Sequence, residues 1–223
     1  MTSRYEYDPH ARNQHLAPVP IGFSEEVHPL HRAFPSASAI EEIKMVVALV
    51  GRRVDAPDAK VARFPAENIA VVRARIRELF ERYRAKVLIS SAACGVDLLA
   101  LEEAGLLGMR RRIILPFERQ RFRETSVTDR PGDWGALYDR IVNEVEEQED
   151  VVTLSFDSND VNAYLADNKA ILHEAAALGR ELQLDKTAAL VWDGSPRGGD
   201  DFTKAFGDEA RADGFALLEV NTM

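Results

Sequence analysis

Three segments of the sequence combine glycine with arginine or serine in a way that suits a negatively charged ligand. Gly51-Arg52-Arg53 ends one apolar run, Ser90-Ser91-Ala92-Ala93-Cys94-Gly95-Val96-Asp97 follows a second, and Arg197-Gly198-Gly199 comes shortly after a third. Small residues where a strand leads into a helix leave backbone N–H groups free, and the helix dipole favours negative charge there. Guanidinium groups add paired donors that match phosphate oxygens. The segments therefore predict a site for a phosphate-bearing ligand.

The residues predicted to contact the ligand lie in these segments, in the helix after Gly199 and in an Arg-rich segment further along the chain. They are Gly51, Arg52, Arg53, Ser90, Ser91, Gly95, Asp97, Arg121, Arg197, Gly198, Gly199 and Thr203. The segments match neither G-x-G-x-x-G nor G-x-x-x-x-G-K-[ST], so they support neither a standard dinucleotide fingerprint nor a P-loop. A plainer interpretation also exists, in which Gly51 ends a strand and Asp97, Asp200 or Asp201 caps a helix and competes for the same donors.

The Arg-rich segment 117–132 is predicted to be a long loop with arginine at every second position from Arg119 to Arg123. It is either a flexible lid whose arginines bind phosphates while an aromatic ring stacks on a base, or a solvated loop or subunit contact. Tyr164 and Asn168, one helical turn apart, are either base or ribose contacts or ordinary polar positions on a half-buried helix.

Two carboxylates are candidates for catalysis. Glu118 follows the third predicted strand and Asp193 the fifth, so either is suited to act as nucleophile or general acid at a glycosidic carbon. No metal-ligand cluster, Ser-His-Asp spacing or Cys-His pair stands out, and Pro29 keeps His28 and His31 from sharing a helix face. We therefore expect no metal and no cofactor.

The elements that must position these residues alternate along the chain. Apolar runs predict strands at 45–50, 86–90, 112–116, 151–154, 187–192 and 215–220. The segments between them predict helices at 65–83, 96–107, 134–147, 160–181 and 201–213. This alternation predicts an α/β fold, a doubly wound parallel sheet with helices on both faces. In such a sheet the ligand binds beyond the carboxyl ends of the strands, where the strand order reverses.

Residues 1–40 differ from the rest, because they hold four of the five histidines and five of the ten prolines without a sustained period. We predict an irregular N-terminal arm over 1–40, lying on the main domain or on a partner subunit. Residues 41–223 then form one nucleotide-binding domain. Assembly into a homo-oligomer is left open.

The composition excludes several classes of protein. The 223 residues carry 28 Lys+Arg against 37 Asp+Glu, a net charge of −9, which argues against a nucleic-acid partner. The single cysteine, Cys94, rules out a disulfide framework. The sequence has no apolar run of about 20 residues and no apolar leader, so we expect a cytoplasmic protein with a small-molecule partner and no membrane partner.

Ser90–Asp97 resembles the S-G-x-x-x-G-x-D segment of SLOG, the superfamily that joins DNA-processing protein A (Smf) and the lonely-guy, lysine-decarboxylase-like proteins. Arg112–Phe117, Leu190–Gly194 and the Gly198-Gly199 turn follow in the order that the resemblance requires, over residues 45–220. The resemblance implies a Rossmann-like fold whose cleft binds a nucleotide or a nucleotide-derived signal. By the same resemblance, its ligand residues are Gly51, Arg52, Ser90, Ser91, Gly95, Asp97, Gly198 and Gly199.

The phosphoribohydrolase branch of that superfamily carries P-G-G-x-G-T-x-x-E, whose glutamate serves catalysis. When Gly198-Gly199 is aligned with the glycine pair, the later positions hold Asp201, Phe202 and Ala205 instead of glycine, threonine and glutamate. The departure favours a sensor-type member that binds a nucleotide without hydrolysing it. Two alternatives stay open: a nucleotide-processing hydrolase or glycosyl transferase that uses the candidate carboxylates, and a subunit-assembly module.

Overall fold

The computed structural model describes residues 44–160, 162–199 and 201–223. The predicted arm, with His28 and His31, lies outside the described residues, as does Asp200. The strands are β1 (Met45–Gly51), β2 (Ala85–Ser90), β3 (Arg110–Leu115), β4 (Val151–Thr153), β5 (Asp185–Trp192) and β6 (Ala216–Asn221). The helices are α1 (Ile69–Arg82), α2 (Val96–Leu106), α3 (Arg119–Phe122), α4 (Trp134–Glu146), α5 (Asn162–Leu182) and α6 (Phe202–Ala212).

The strands form one six-stranded sheet with the order β4-β3-β2-β1-β5-β6, and every neighbouring pair is parallel. The chain adds β2, β3 and β4 outward from β1, then returns to the other side of β1 for β5 and β6. The strand order therefore reverses between β1 and β5. This topology confirms the predicted fold class, a Rossmann-like doubly wound α/β sheet.

Helices cover both faces of the sheet, and β1 shows why its sequence is apolar throughout. Val47 and Leu49 belong to the core that the sheet forms with α1, α2 and α4. Val46 and Ala48 point to the opposite face, into the core formed with α5 and α6. Because successive strand side chains alternate between faces, a strand covered on both sides has no polar position.

The Arg-rich segment is not the long irregular loop that the sequence predicts. Arg119–Phe122 form α3, and Arg123–Val127 continue it as a turn of π-helix. The Phe122 ring is buried, 5.8 Å from the Phe117 ring centroid and 6.3 Å from that of Tyr138. Aromatic burial therefore anchors the segment to the domain core.

The arginines of this segment also hold it in place. Arg119 donates to Asn143 on α4 at 2.7 Å, and Arg123 pairs with Asp139 on the same helix at 2.9 Å. Their guanidinium groups are thus engaged with α4. Arg119 and Arg123 are therefore not the free side chains of a flexible loop that the lid interpretation expects.

None of the helices among the described residues combines the length and the apolar character that crossing a bilayer requires.

Candidate functional site

A cavity of about 280 Å³ opens where the strand order reverses, beyond the carboxyl ends of β1 and β5. Its walls come from the turns after β1 and β2, the π-helical turn, one face of α5 and the start of α6. The reversal separates the connections that leave β1 and β5, and this leaves a crevice between them. This volume lies just below the range of about 300–1,000 Å³ that is usual for ligand sites.

Two glycines let the turns after β1 and β2 pack together beneath the cavity. A Cβ on Gly51 would lie 2.3 Å from Val96 Cγ1 and 2.6 Å from Val191 O. Gly95 has a φ of +93°, and its Cβ would lie 2.7 Å from Val54 N. Only glycine fits such a close approach and, at Gly95, such a backbone conformation. Both predicted site glycines are therefore required by packing, and Gly51 also lines the cavity.

Three of the backbone N–H groups at the start of α2, which the sequence predicts to be free for an anion, already have acceptors inside the protein. The pairs are Ala93 N to Asp97 Oδ2 (3.3 Å), Cys94 N to Ser126 O (3.0 Å) and Val96 N to Arg52 O (3.2 Å). These bonds attach the turn to β1 and to the π-helical turn. These three amides are therefore not free for an anion, contrary to the prediction.

The start of α6 has the same property, because Asp201 accepts the amides there. Its carboxylate accepts from Arg197 N at 2.6 Å and from Thr203 N and Lys204 N at 3.1 Å each. The sequence foresaw this cap as the plainer interpretation. Gly198 and Gly199 lie on the exposed part of the same turn, outside the cavity wall.

Arg52, predicted to bind the ligand anion, is instead bonded to the protein itself. Its side chain pairs with Asp201 at 2.8 and 3.0 Å and with Asp193 at 2.8 Å, and it donates to Ser195 O at 2.7 Å. It is 2% exposed and lies over the Trp192 ring. Burial lowers its pKa, but the two aspartates outweigh that effect and the pKa is raised. Arg52 joins the turns after β1 and β5.

Neither candidate catalytic carboxylate lines the cavity. Asp193 is held between Arg52 and Arg63, whose Nη1 lies 2.7 Å from its Oδ2, and it belongs to the ionic network below the site. Glu118 accepts the amides of residues 120 and 121 at the start of α3. The positions of both side chains are therefore explained by structural interactions within the protein.

Two other predicted ligand residues also lie outside the cavity wall. Ser90 is fully buried and donates to Leu49 O at 2.8 Å, which links β1 and β2. Arg121 is exposed and pairs with Glu124 at 3.5 Å. Their hydrogen-bonding groups are directed at the protein rather than at the cavity.

Besides Arg52, whose side chain is bonded to aspartates, the cationic residues that line the cavity are Arg53, Arg130 and Arg197. Arg53 forms an ion pair with Asp129 and donates to Cys94 Sγ at 3.4 Å. In the described part of the chain, Arg130 and Arg197 form no ion pair. The Nε of Arg130 is buried without a hydrogen-bond partner.

Positive charge is concentrated beside Arg197. Partial burial and the charges of Arg52, Arg63 and Arg130 lower its pKa, against the opposing effect of Asp201. A bound anion would relieve this repulsion. The positive charge at the cavity is therefore carried by guanidinium groups that lie close together.

Aromatic rings form another part of the wall: Phe122, Tyr164 and Phe202. The Tyr164 and Phe202 ring centroids are 5.4 Å apart, and both rings are half-buried. The Tyr164 hydroxyl lies 3.1 Å from Ser126 Oγ, and Asn168 donates to Phe202 O at 2.8 Å. Tyr164 and Asn168, whose roles the sequence left open, thus both face the cavity. The rings offer an apolar surface on which a planar group can stack.

Two buried carboxyl groups, Asp97 and Asp167, complete the wall, at 7% and 4% exposure. Burial raises the pKa of Asp97 to about 7, although the Ala93 and Gly51 amides partly oppose the shift. Burial raises the pKa of Asp167 well above its usual range; the nearby Ser91 hydroxyl opposes this shift, and the charge of Asp97 adds to it to a smaller extent. Within the described chain, no cluster of three or more His, Cys, Asp or Glu side chains suits a metal ion.

The structure thus brings together about half of the predicted ligand residues. Those at the cavity are Gly51, Arg52, Arg53, Ser91, Asp97, Arg197 and Thr203. Sequence reasoning missed Arg130 and Asp167. Asp167 could have been found, because it lies on the same face of α5 as Tyr164 and Asn168, at helical spacing. Arg130 gives no such signal, since its position depends on the unexpected helical fold of its segment.

Comparisons with known proteins give a distant structural likeness. No protein-family model matches the chain, and no curated protein matches its sequence. Among solved structures, the chain is similar to DNA processing protein A (DprA) from Streptococcus pneumoniae, at 14% identity and a TM-score of 0.34. The match covers 81% of this chain and 60% of that chain, so this chain spans about three fifths of its length. The SLOG resemblance of Ser90–Asp97 stays a prediction.

Proposed function

We propose that this protein binds a nucleotide or nucleotide-derived small molecule in the cavity between β1 and β5, as a sensor or regulatory domain. The observation that carries the proposal is the pair Arg130 and Arg197, two neighbouring guanidinium groups at the cavity without a carboxylate partner among the described residues. Such a pair attracts a phosphate, which accepts several hydrogen bonds from guanidinium groups at once.

The rest of the wall supports a ligand with both a charged and a planar part. Tyr164 and Phe202 offer half-buried rings beside the arginines. Asp97 and Asp167 are held neutral over part of the pH range by burial, so they oppose an anion less than ordinary carboxylates would. The sensor role follows from Ala205, which stands where the phosphoribohydrolase motif has its catalytic glutamate.

Thermal shift and titration calorimetry with adenosine 5′-monophosphate (AMP) test the proposal. A ligand at 100 times its Kd stabilises the folded state by about 2.7 kcal/mol. For a domain of this length that free energy raises the Tm by about 5–10 °C. Arg130→Ala/Arg197→Ala should weaken AMP binding by at least about tenfold, since each lost charged hydrogen bond costs about 1.5–3 kcal/mol.

Arg121→Ala is the matched control, because Arg121 is an exposed arginine of the same Arg-rich segment whose side chain lies outside the cavity. It should bind AMP as the unmodified protein does. Equal affinities for the double variant and the control would rule out the cavity arginines as the binding groups.

The alternative function is hydrolysis of the glycosidic bond of the bound nucleotide. The observation that favours it is the presence of Asp97 and Asp167 in the cavity, because a carboxyl group with a raised pKa is suited to be a general acid. These residues replace Glu118 and Asp193 as candidates. Chromatography after long incubation with AMP distinguishes the two functions: adenine and ribose 5-phosphate indicate hydrolysis, and intact AMP indicates a sensor.

A further inference from the structure

Buried polar atoms without hydrogen-bond partners are concentrated at one place in the described chain. Four side-chain atoms are of this kind: Ser91 Oγ, Glu103 Oε2, Arg130 Nε and Asp167 Oδ1. Glu103 Oε2 lies 2.7 Å from Arg77 Nε, so its charge is compensated. The other three atoms belong to residues that line the cavity, where the Ser91 hydroxyl lies near enough to Asp167 to lower its pKa but completes no hydrogen bond of normal geometry. Buried polar groups in folded proteins are nearly always satisfied, so this concentration indicates partners supplied by a ligand.

The three atoms require two different kinds of hydrogen-bond partner. Arg130 Nε is a donor and takes a phosphate oxygen. An ionised Asp167 is purely an acceptor, and a protonated Asp167 keeps one acceptor oxygen while donating through the other. The Ser91 hydroxyl donates and accepts. The side of the cavity formed by Ser91 and Asp167 therefore suits a group that both donates and accepts hydrogen bonds.

A sugar hydroxyl is such a group, and neighbouring hydroxyls on one ring present two. Carboxylates bind ribose hydroxyls in this way in other Rossmann-like folds. Two other kinds of group that carboxylates bind, a metal ion and an ammonium group, fit this side of the cavity less well. A metal ion lacks a third ligand among the described residues. An ammonium group would be repelled by Arg53, Arg130 and Arg197, which line the same cavity.

Building on the proposed function, we propose that the ligand carries a pentose 5-phosphate and that Asp167 and Ser91 bind the vicinal hydroxyls of its sugar. Arg130 and Arg197 then hold the phosphate, while Tyr164 and Phe202 contact the remaining part of the ligand. Asp97 limits the negative charge at this side of the cavity, because its carboxyl and that of Asp167 disfavour each other's ionisation. Asp167 is thus a specificity-determining residue for ribose over deoxyribose.

The test is calorimetric titration with two matched pairs of probes: AMP against 2′-deoxy-AMP, and ribose 5-phosphate against 2-deoxyribose 5-phosphate. At a pH where Asp167 is ionised, we expect the ribose compound of each pair to bind about ten- to a hundredfold tighter, the effect of one hydrogen bond to a charged group. Asp167→Asn should reduce that ratio at least about fivefold, and Ser91→Ala should reduce it less. Asp208→Asn, which alters an exposed carboxylate on α6, is the control and should leave the ratio unchanged.

Because the Asp167 carboxyl has an unpartnered oxygen, Asp167→Asn should fold, and its Tm without ligand verifies this. Phosphate esters that bind through the arginines with equal affinity for ribose and deoxyribose would overturn the pentose proposal and leave the proposed function standing. An Asp167→Asn variant that binds all four probes more tightly, with the ratio unchanged, would also overturn it. Absence of binding by every phosphate ester would instead refute the proposed function.

Discussion

The starts of α2 and α6 were both expected to bind an anion through backbone amides. The structure shows that they share an aspartate acceptor but differ in the charge of that aspartate. Each has a glycine with positive φ, Gly95 or Gly199, followed shortly by an aspartate. In both places that aspartate accepts backbone amides that were predicted to hold an anion: Asp97 takes the Ala93 amide of its own turn, and Asp201 takes three amides. In each turn, a carboxyl group of the protein itself occupies the acceptor position.

The two aspartates differ in the charge that they carry. Asp201 faces the buried Arg52, which outweighs the effect of burial and holds the pKa of Asp201 below its usual value. Asp97 has no ion pair among the described residues, and burial raises its pKa to about 7. A glycine and an aspartate at a helix start therefore do not determine whether the aspartate is charged. The cation that faces the aspartate from another turn decides whether it is a fixed charge or a titrating group.

Removal of that cation should give the largest effect. We expect Arg52→Leu to destabilise the domain by about 3–5 kcal/mol, because Asp201 and Asp193 would remain buried without their partner. The free energy of unfolding in urea measures it. Arg121→Ala, an exposed arginine, should change stability by less than about 0.5 kcal/mol. If Arg52→Leu and Arg121→Ala lower the free energy of unfolding by the same small amount, Arg52 does not stabilise the turns around the cavity.

The glycines of the two turns give the next comparison. Gly95→Ala places a Cβ 2.7 Å from Val54 N in a backbone conformation that disfavours it, so we expect a loss of about 2–4 kcal/mol. Gly199→Ala meets nothing within 4 Å and carries only its φ of +80°, so it should lose about 1 kcal/mol. Urea unfolding of both variants tests the order. A larger loss at Gly199 would contradict the described packing.

The strands and the order of elements could be predicted from the sequence because burial on both faces leaves a continuous apolar run, as in Met45–Val50. The location of the cavity could also be predicted, since a parallel sheet leaves a crevice where its strand order reverses. Arg53, Ser91 and Asp97 were predicted to lie at this edge of the sheet, and they line the cavity there. These inferences need only periodicity and topology.

The partners of each side chain could not be predicted in the same way. Arg52 and Arg53 are neighbours after the same strand and both line the cavity, yet Arg52 is enclosed by Asp193 and Asp201 whereas Arg53 pairs with Asp129. The difference depends on contacts across about 140–150 residues of chain, which no local pattern encodes. Arg130 was missed because helix formation in an Arg-rich segment depends on tertiary burial of Phe122.

The pH dependence of the free energy of unfolding distinguishes Asp97 from Asp201 directly. The folded-state pKa of Asp97, about 7, lies above its unfolded value near 3.8, so the native state binds the extra proton between them. The contribution of Asp97 to stability should therefore fall as pH rises through this range, by up to about 1.4 kcal/mol per pH unit, and become flat above pH 7. Urea unfolding from pH 5 to 8 measures the difference between the unmodified protein and Asp97→Asn.

The contribution of Asp201 has the opposite sign. Its folded-state pKa is lowered, so its stabilisation is present above its unfolded value near 3.8 and is lost only as pH falls below that value. The difference between the unmodified protein and Asp201→Asn should therefore stay constant from pH 5 to 8. Parallel slopes for the two variants would show that Arg52 does not distinguish the aspartates.

The smallest effect is expected at Gly198, in the exposed part of the turn before α6. A Cβ there meets nothing within 4 Å, and Gly198 is absent from the glycines with positive φ, so Gly198→Ala should be neutral or stabilise the domain by up to about 1 kcal/mol. The gain arises because alanine restricts the unfolded chain. AMP titration of the same variant then tests where the phosphate binds. The AMP affinity should be unchanged if guanidinium groups bind the phosphate. A large loss of AMP affinity in a fully stable variant would instead indicate that the backbone of this turn binds the phosphate.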